Sequence, residues 1–427
     1  MKKVIGFDSW TGGVQHFARL IPAFKARGLD LQLVHLGSWG NEPGYPHECR
    51  MGELLVRDIA FYGDDSFERI LDIEQPVAVI LLSTDTFAHR AFIRYCEQRS
   101  IPTLNLYHGL VNVQDSAGEA GVPTVSRFAY VRYVFSKLGK LFQHTFPCYI
   151  KALLKTKATR KDWGRFILDI FQMATGANPF RQAAADAKTT KCGVYVQADV
   201  EHAIRCYGFI KKEVFIVGNP DFLQFDLDEG MIGNWIMPMM DDKSIMYIEC
   251  GFSSVGLFFS SEQDFATHLI STSKALAAQG FKMLLKLKPH GSNIHLIEQR
   301  LKGSGIKLVT NKSFLTELMA CSACIVETTS LAMMPALMGM PLLMTKYGNL
   351  KSLDFGAVLT SYPRGYLFED VSDVVDILYK IAQTSDSGKL NDWINLNVGP
   401  LPPEKMPERV AAIVEEMIAE TNRQDLS

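Results

Sequence analysis

Short apolar runs, each followed by a helical pattern and a turn, recur along most of this chain of 427 residues. Val77–Leu82 (VAVILL) is a continuous apolar run, which is typical of a parallel strand buried on both faces of a sheet. The runs at Val4–Phe7, Leu31–Leu36 and Ile101–Leu106 have a similar character and are joined by helical patterns. This alternation predicts an α/β fold of the doubly wound, Rossmann-like type.

A second series of alternating units begins at Ile245–Glu249 and includes Met283–Lys288 and Cys324–Val326. The stretch Phe222–Lys243 lies between the two series and has the polar composition of a linker. Because the chain is too long for one ordinary hydrophobic core, two domains are expected.

The predicted domains are residues 1–225 and residues 240–400, both Rossmann-like and facing a common cleft. Residues 401–427 contain an amphipathic pattern and form a predicted C-terminal helix that could cross back to the first domain.

The segment 126–165 interrupts the alternation of the first domain with a run that is rich in bases and aromatic residues. Its bases are Arg127, Arg132, Lys137, Lys140, Lys151, Lys155, Lys157, Arg160, Lys161 and Arg165. Phe128, Tyr133 and Tyr149 are among the aromatic residues between them. A helical segment of this composition favours the surface of an anionic membrane, but an ordinary helix with a solvated basic face has the same composition.

Charge and cysteine usage narrow the function class. The net charge of −2 gives no electrostatic case for binding nucleic acid. The apolar run at the N-terminus ends at Asp8, which is too short for a signal-peptide core, and no run reaches the length of a membrane span. The cysteines are scattered apart from Cys321 and Cys324, so we predict no zinc site. Scattered free cysteines are typical of a reducing compartment, so we predict a cytoplasmic protein. If the basic segment binds lipid, the protein would be peripheral on the inner face of the membrane.

The first candidate motif is Lys286–Gly291 (KLKPHG), which follows a predicted strand of the second domain. Ligands of open α/β sheets bind at the carboxyl ends of the strands. There, His290, with Lys288 beside it, could donate a hydrogen bond to a phosphate oxygen and stabilise a departing nucleotide. A loop histidine that caps a helix would have the same local sequence.

The second candidate motif is Glu327-Thr328-Thr329-Ser330, which lies between a predicted strand and an apolar helix. Hydroxyl groups and free amides at the beginning of a helix suit an anion. A capped helix without a ligand has the same signature, but the second domain then contains two strand ends that suit phosphate.

Together the two motifs resemble those of the GT-B glycosyltransferase superfamily. KPHG resembles the His-Pro-type motif of bacterial sialyltransferases and of Kdo and capsule transferases, and ETTSLAMMPALMGMPLL resembles their Ser/Thr motif and the helix after it. The resemblance implies the GT-B fold. It also implies that His290, Thr328, Thr329 and Ser330 hold the phosphate of a nucleotide-sugar donor.

The sequence departs from this family pattern in two places. Gly291 follows His290 where the family usually has proline, and Met333–Pro335 stands where many relatives place a carboxylate that grips ribose. Glu327, on the other side of the hydroxyl groups, could substitute for that carboxylate. The missing carboxylate favours a CMP-linked acidic sugar over a UDP-sugar.

A third motif, Tyr107-His108-Gly109, ends a strand of the first domain and resembles the His-Gly motif of CDP-glycerol glycerophosphotransferases. The resemblance implies that His108 is the general base, and an unperturbed imidazole titrates near neutrality as that role requires. Other candidate bases near predicted strand ends are Asp8, His16, Asp85, Asp115 and Glu119.

The loop Gly251–Gly256 follows the first strand of the second domain, and Gly251, Ser253 and Ser254 could offer amides and hydroxyls to the donor. The acidic pairs Asp64-Asp65 and Asp241-Asp242 lie in predicted loops and are more typical of solvated residues than of a metal site. We therefore predict neither a metal nor another cofactor.

These observations predict a metal-independent, inverting glycosyltransferase. Its donor would be a nucleotide sugar, and its acceptor a surface glycan of the capsule or lipopolysaccharide kind, free or lipid-linked. Three alternatives stay open: a polyol-phosphate transferase that uses CDP-glycerol, a non-hydrolysing sugar-nucleotide 2-epimerase, and a non-catalytic binding partner.

Overall fold

The computed structural model describes residues 1–8, 13–40, 47–63, 67–84, 86–109, 141–174, 185–225, 227, 229–236, 243–251, 259, 261–288, 294–327, 329–345, 356–368, 370–383 and 387–424. These residues form two compact units. Those of the first unit fall within Met1–Gly109, Ser126–Gly218 and Glu404–Ser427, and those of the second fall within Asn219–Pro403.

The strands described in the first unit are β1 (Lys2–Asp8), β2 (Leu29–His35), β3 (Glu48–Met51), β4 (Leu54–Asp58), β5 (Ala78–Leu81), β6 (Thr103–Leu106), β7 (Lys191–Val194) and β8 (Val214–Ile216). They form one sheet in the order β3-β4-β2-β1-β5-β6-β7-β8. Only the pair β3–β4 at the edge is antiparallel among these strands. The central strands are apolar and buried, as parallel strands covered on both faces must be.

The helices described between β1 and β8 are α1 (Val14–Ala18), α2 (Ile21–Ala26), α3 (Phe67–Glu74), α4 (Phe87–Gln98), α5 (Phe146–Lys155), α6 (Arg160–Ala174) and α7 (Ala198–Tyr207). The apolar spacing of His16–Arg27 predicts one helix between β1 and β2, but the structure divides this stretch into α1 and α2. Pro22 stands in the first turn of α2, where its missing N–H costs no hydrogen bond, so the chain starts a new helix there.

Helix α4 lies at the centre of the first unit and is buried along most of its length. Arg90 of this helix is 2% exposed and donates hydrogen bonds to Asp169, Asp186 and the hydroxyl of Tyr149 at 2.7, 2.9 and 2.8 Å. Its buried charge is therefore paired and hydrogen-bonded, as a charge inside a core must be. These bonds fasten α5 and α6 to α4.

The aromatic residues of α5 and α6 that face α4 belong to the core. Phe146, Tyr149 and Phe166 all pack against Phe87, with ring centroids 5.4, 5.0 and 5.3 Å away. Tyr149 is fully buried, so it is not available to a membrane as the composition of segment 126–165 suggested. Residues 126–140 of that segment lie outside the described residues.

The strands described in the second unit are β9 (Ser244–Ile248), β10 (Lys282–Lys286), β11 (Lys307–Leu308), β12 (Cys321–Val326), β13 (Leu342–Thr345) and β14 (Gly365–Phe368). They form a parallel sheet in the order β11-β10-β9-β12-β13-β14. The accompanying helices are α8 (Glu262–Ala278), α9 (Ile294–Leu301), α10 (Phe314–Met319), α11 (Met333–Met338), α12 (Gly356–Thr360), α13 (Val374–Gln383) and α14 (Ser387–Asn397).

The last helix, α15 (Met406–Gln424), is part of the first unit. Lys191 of β7 contacts Glu416 and Glu420 of this helix at 2.8 and 3.1 Å, and Arg409 donates to the carbonyl of Val217 at 3.0 Å. Among the residues that the structure describes, no helix has both the length and the apolar character needed to cross a bilayer.

Candidate active site

The carboxyl ends of three neighbouring strands of the first unit bring together several of the predicted residues. Asp8 ends β1, Leu82 follows β5, and His108 follows β6, and these strands are adjacent in the order β1-β5-β6. His108 is exposed, and its Nδ1 lies 2.7 Å from the carbonyl oxygen of Leu82. Ligands of open α/β sheets bind at this edge.

The contact with Leu82 decides which nitrogen of His108 carries the proton. A carbonyl oxygen only accepts hydrogen bonds, so Nδ1 must be the donor. In the neutral imidazole the other nitrogen, Nε2, then has the free lone pair. His108 is therefore held in the tautomer that a general base needs.

His16 of α1 lies beside His108, with ring centroids 6.0 Å apart, but it has the opposite tautomer. Arg19 approaches its Nδ1 at 3.3 Å, and a guanidinium only donates, so Nδ1 accepts and Nε2 carries the hydrogen. Burial, then the positive charge of Arg19, then His108 lower the pKa of His16 to about 3. His16 is thus a neutral hydrogen-bond donor and a poor base.

Asp8 is only 3% exposed, in contrast to His108. A Cβ atom placed on Gly13 would lie 2.6 Å from Oδ2 of Asp8, so the glycine is what allows the start of α1 to approach this carboxylate. A carboxylate buried in this way is less accessible to an acceptor hydroxyl than the imidazole of His108.

His89 of α4 is a third imidazole near this edge, and no sequence pattern singled it out. It is fully buried, its Nδ1 lies 2.7 Å from Oγ1 of Thr86, and burial followed by His108 lowers its pKa to about 3. In sequence it is one polar position within a helical apolar pattern, which carries no functional signal. His89 and His16 are both neutral at pH 7 because of their lowered pKa values.

In the second unit, two buried carboxylates join the ends of the three adjacent strands β10, β9 and β12. Glu249, 2% exposed, accepts from the amide of Lys288 at 2.8 Å. Glu327, fully buried, accepts from the amide of Cys250 at 2.7 Å and from the hydroxyl of Tyr247 at 2.8 Å. These bonds hold the loops after β9 and β10 in place.

Four further predicted donor-binding residues, Lys288, Gly251, Thr329 and Ser330, lie at the ends of these strands. Lys288 is exposed two residues after β10, and Gly251 is buried after β9 with φ of 95°. The hydroxyl of Thr329 lies 3.4 Å from the amide of Leu331, close to the helix start where the sequence predicts a cap. Ser330 begins the helical turn that leads into α11. This edge therefore has both a cationic side chain and a backbone suited to a close approach.

The other predicted site residues lie outside the described residues: Asp85, Asp115, Glu119, Ser253, Ser254, His290 and Thr328. The strands that lead to His290 and Thr328, β10 and β12, flank β9 in one sheet. Their spacing is therefore about 10 Å, twice the separation of paired strands. The meeting of His290 with the hydroxyl groups stays a prediction.

A fourth charged residue at this edge, Lys286, is 4% exposed and donates to the carbonyl of Leu287 at 2.9 Å. Burial lowers the pKa of its ammonium group, and the carboxylate of Glu249 opposes that shift. Within the described ranges, no group of three or more His, Cys, Asp or Glu side chains is arranged to hold a metal ion.

Solved structures of a glycosyltransferase and of a polymerase are similar to this chain over nearly its full length. CalG4, the calicheamicin glycosyltransferase, is similar at 11% identity over 98% of each chain, with a TM-score of 0.50. The wall teichoic acid polymerase TagF is similar at 11% identity over 98% of this chain and 89% of that chain, also with a TM-score of 0.50. The chain has the GT-B fold.

The predicted fold class, two Rossmann-like α/β domains, is confirmed by the two sheets and by these similarities. A UDP-GlcNAc 2-epimerase from Methanocaldococcus jannaschii has a lower TM-score of 0.46 at 12% identity over 97% of this chain and 100% of that chain. No family model matches the sequence, and no curated protein matches it. At these identities the similarity establishes the GT-B fold and nothing finer.

Proposed function

We propose that this protein is a glycosyltransferase that moves a sugar from a nucleotide-activated donor to a hydroxyl group of an acceptor. The observation that carries the proposal is the exposed ring of His108, whose Nδ1 donates to the Leu82 carbonyl 2.7 Å away. Its Nε2 keeps a lone pair that can take the proton of an attacking hydroxyl. The GT-B fold, which the calicheamicin glycosyltransferase shares, makes sugar transfer the reaction that this base fits best.

In the proposed reaction the acceptor oxygen forms a bond to the anomeric carbon while the bond from that carbon to the donor phosphate breaks. The hydroxyl proton passes to Nε2 of His108. The resulting imidazolium keeps its hydrogen bond to the Leu82 carbonyl, and that bond strengthens as the ring becomes charged. A single displacement of this kind inverts the anomeric centre.

His16 has a complementary part in this proposal. Its Nε2–H can donate to the acceptor oxygen, because Arg19 occupies its Nδ1. The ring centroids of His16 and His108 are 6.0 Å apart, which is short enough for one hydroxyl group to contact both rings. One imidazole would then orient the hydroxyl and the other would remove its proton. Asp8 and Asp115 remain the alternative bases.

The second unit would hold the donor, at the edge where β10, β9 and β12 end. The proposed donor site consists of Lys288, His290, Gly251, Ser253, Ser254, Thr328, Thr329 and Ser330. Glu327 would act by holding the turn at Cys250, since its two oxygens already accept from Cys250 and Tyr247. The departing phosphate would be stabilised by cationic and N–H donors in place of a metal.

The first turn of α11 supports the choice of nucleotide. Met333 and Met334 are 0% and 2% exposed, so both side chains of this turn belong to the core. The turn therefore has no carboxylate that could bind the ribose. We therefore favour a CMP-linked acidic sugar as donor over a UDP-sugar. The acceptor would be a surface glycan of the capsule or lipopolysaccharide kind.

A polyol-phosphate transferase that uses CDP-glycerol is the second candidate. The motif around His108 resembles that of CDP-glycerol transferases, and the teichoic acid polymerase TagF matches this chain with the same TM-score as CalG4. The same base would serve, because a glycerol hydroxyl loses its proton in the same way as a sugar hydroxyl.

The test is an assay of the purified protein with CMP-sugars, UDP-sugars and CDP-glycerol, each with and without hydroxyl acceptors, with products identified by mass spectrometry. We expect a glycosylated acceptor, formed only when both substrates are present. Transfer of glycerol phosphate would favour the second candidate. Interconversion of a sugar nucleotide without an acceptor would indicate a 2-epimerase, and binding without turnover would indicate a non-catalytic protein.

A further inference from the structure

Helices α5 and α6 each have a second apolar face, which points away from the core. Among the side chains that the structure describes on these helices, five large apolar ones are exposed: Ile150 (36%), Leu154 (68%), Ile167 (66%), Leu168 (44%) and Phe171 (65%). Single exposed apolar residues are common on protein surfaces, but several of them along one helix are typical of an interaction surface.

The spacing of these residues shows that the exposure is systematic. Ile150 and Leu154 are four residues apart on α5, and Ile167 and Phe171 are four residues apart on α6, so each pair lies along one helix face. The buried side chain of Phe166 occupies a different face of α6 and contacts Tyr149. Each helix is therefore apolar both toward α4 and toward the outside.

The exposed charged side chains where α5 gives way to α6 are bases. Lys157, Arg160 and Lys161 are exposed between the two helices or at the beginning of α6. The only carboxylates among the described residues 143–171 are Asp162 and Asp169, and they pair with Arg94 and Arg90 of α4 at 3.5 and 2.7 Å. The outer surface thus combines exposed apolar side chains with bases whose charge no acid of these helices offsets.

We propose that this surface of α5 and α6 docks on the face of an anionic lipid bilayer. Apolar side chains inserted at the boundary between headgroups and acyl chains, with lysine and arginine beside anionic headgroups, are how amphipathic helices bind such membranes. A second copy of the chain fits less well, because pairing this face with itself brings like charges together. The binding requires no catalytic residue and is independent of the proposed transfer reaction.

The apolar contribution is tested by flotation of the full-length protein with vesicles of phosphatidylcholine alone or with phosphatidylglycerol at a ratio of about 3:1. The variant is Ile167→Ser with Phe171→Ser. The matched control is Val375→Ser with Tyr379→Ser on α13, which are 42% and 65% exposed. We expect the parent and the control to bind only anionic vesicles, and the α6 variant to bind at least about tenfold more weakly.

The charge contribution is tested with Arg160→Gln and Lys161→Gln, against Lys211→Gln and Lys212→Gln, an exposed basic pair elsewhere in the first unit. We expect the first pair to weaken binding by about tenfold or more at low salt and the second pair to leave it unchanged. Failure of the parent to bind anionic vesicles would overturn the proposal. So would equal binding by the α6 variants, or concentration-dependent dimers that the α6 variants abolish.

Discussion

At the scale of single residues, the first unit contains two neighbouring histidines that are held in opposite tautomers. His108 faces a carbonyl group and must donate from Nδ1, whereas His16 faces a guanidinium and must accept there. The difference comes entirely from the partner of one ring nitrogen. It leaves a lone pair at Nε2 of His108 and a hydrogen at Nε2 of His16.

Replacing His108 by alanine should lower kcat by about a hundredfold to ten-thousandfold, the range for a lost general base. The Kd of the donor nucleotide should stay nearly unchanged, because the proposed donor site lies in the other unit. Steady-state kinetics and calorimetric titration measure the two quantities. An equal loss of donor binding would contradict the role as base, and Asp8→Asn provides the comparison for the alternative base.

Two substitutions of His16 test whether it acts as a hydrogen-bond donor or as a base. His16→Gln keeps an N–H donor near the same place and should change the KM of the acceptor by no more than a few-fold. His16→Leu removes the donor and should raise that KM by about tenfold, the effect of one lost hydrogen bond. The KM of the acceptor and kcat, measured at a saturating concentration of donor, test both predictions. A large loss of kcat in His16→Gln would instead make His16 the base.

At the scale of strands and helices, Glu327 connects the end of β12 to the turn after β9. It accepts from the amide of Cys250 and the hydroxyl of Tyr247, and it is fully buried. When a buried donor loses its acceptor, the free energy of unfolding falls by about 1–3 kcal/mol. The loss is smaller when donor and acceptor are both replaced by apolar groups. The hydrogen bonds of Glu327 therefore contribute both to the stability of the second unit and to the geometry of its strand ends.

Replacing Glu327 by alanine should lower the free energy of unfolding by about 3 kcal/mol and weaken nucleotide binding, because two buried donors lose their acceptor. Tyr247→Phe removes one bond and leaves the Cys250 amide paired, so it should cost about 1 kcal/mol and leave nucleotide affinity intact. Urea denaturation and calorimetric titration of both variants test this. Equal nucleotide affinity in the two variants would show that the turn at Cys250 keeps its geometry without the hydrogen bond to Glu327.

At the scale of the whole molecule, the buried imidazoles make stability depend on pH. His16 and His89 have pKa values lowered to about 3 in the folded protein, against 6.5 in the unfolded chain. Below pH 6.5 the unfolded chain takes up protons that the folded protein excludes. The stability is therefore fully present above pH 6.5 and is lost as the pH falls toward 3.

The prediction is a fall in the free energy of unfolding by about 1.4 kcal/mol per pH unit for the fully buried His89, between pH 6 and pH 4. Denaturant titrations across this range measure it. His89→Gln cannot take up the proton and should show a shallower pH slope than the parent, whatever its stability at pH 7. Parallel slopes for the two proteins would mean that His89 is protonated in the fold.

Much of the fold could be predicted from local patterns because strands and helices follow from the period of apolar residues. The buried runs around β1, β5 and β12 all lie where the sequence places them, and His108 stands at a predicted strand end. The sequence did not predict that the stretch His16–Arg27 divides into α1 and α2. The apolar spacing continues across the break, so the pattern alone does not show that Pro22 lies in the first turn of a new helix.

The sequence by itself determined which segments are strands and helices, the GT-B fold class and the motifs at strand ends, since these depend on neighbours along the chain. The tertiary structure alone decided which nitrogen of His108 is free, because Leu82 is 26 residues away, and what Glu327 holds, because Tyr247 is 80 residues away. It also decided that α6, apolar on two faces, leaves the face of Phe171 exposed. Hydrogen-bond partners and burial depend on contacts between distant segments, and those exist only after the chain has folded.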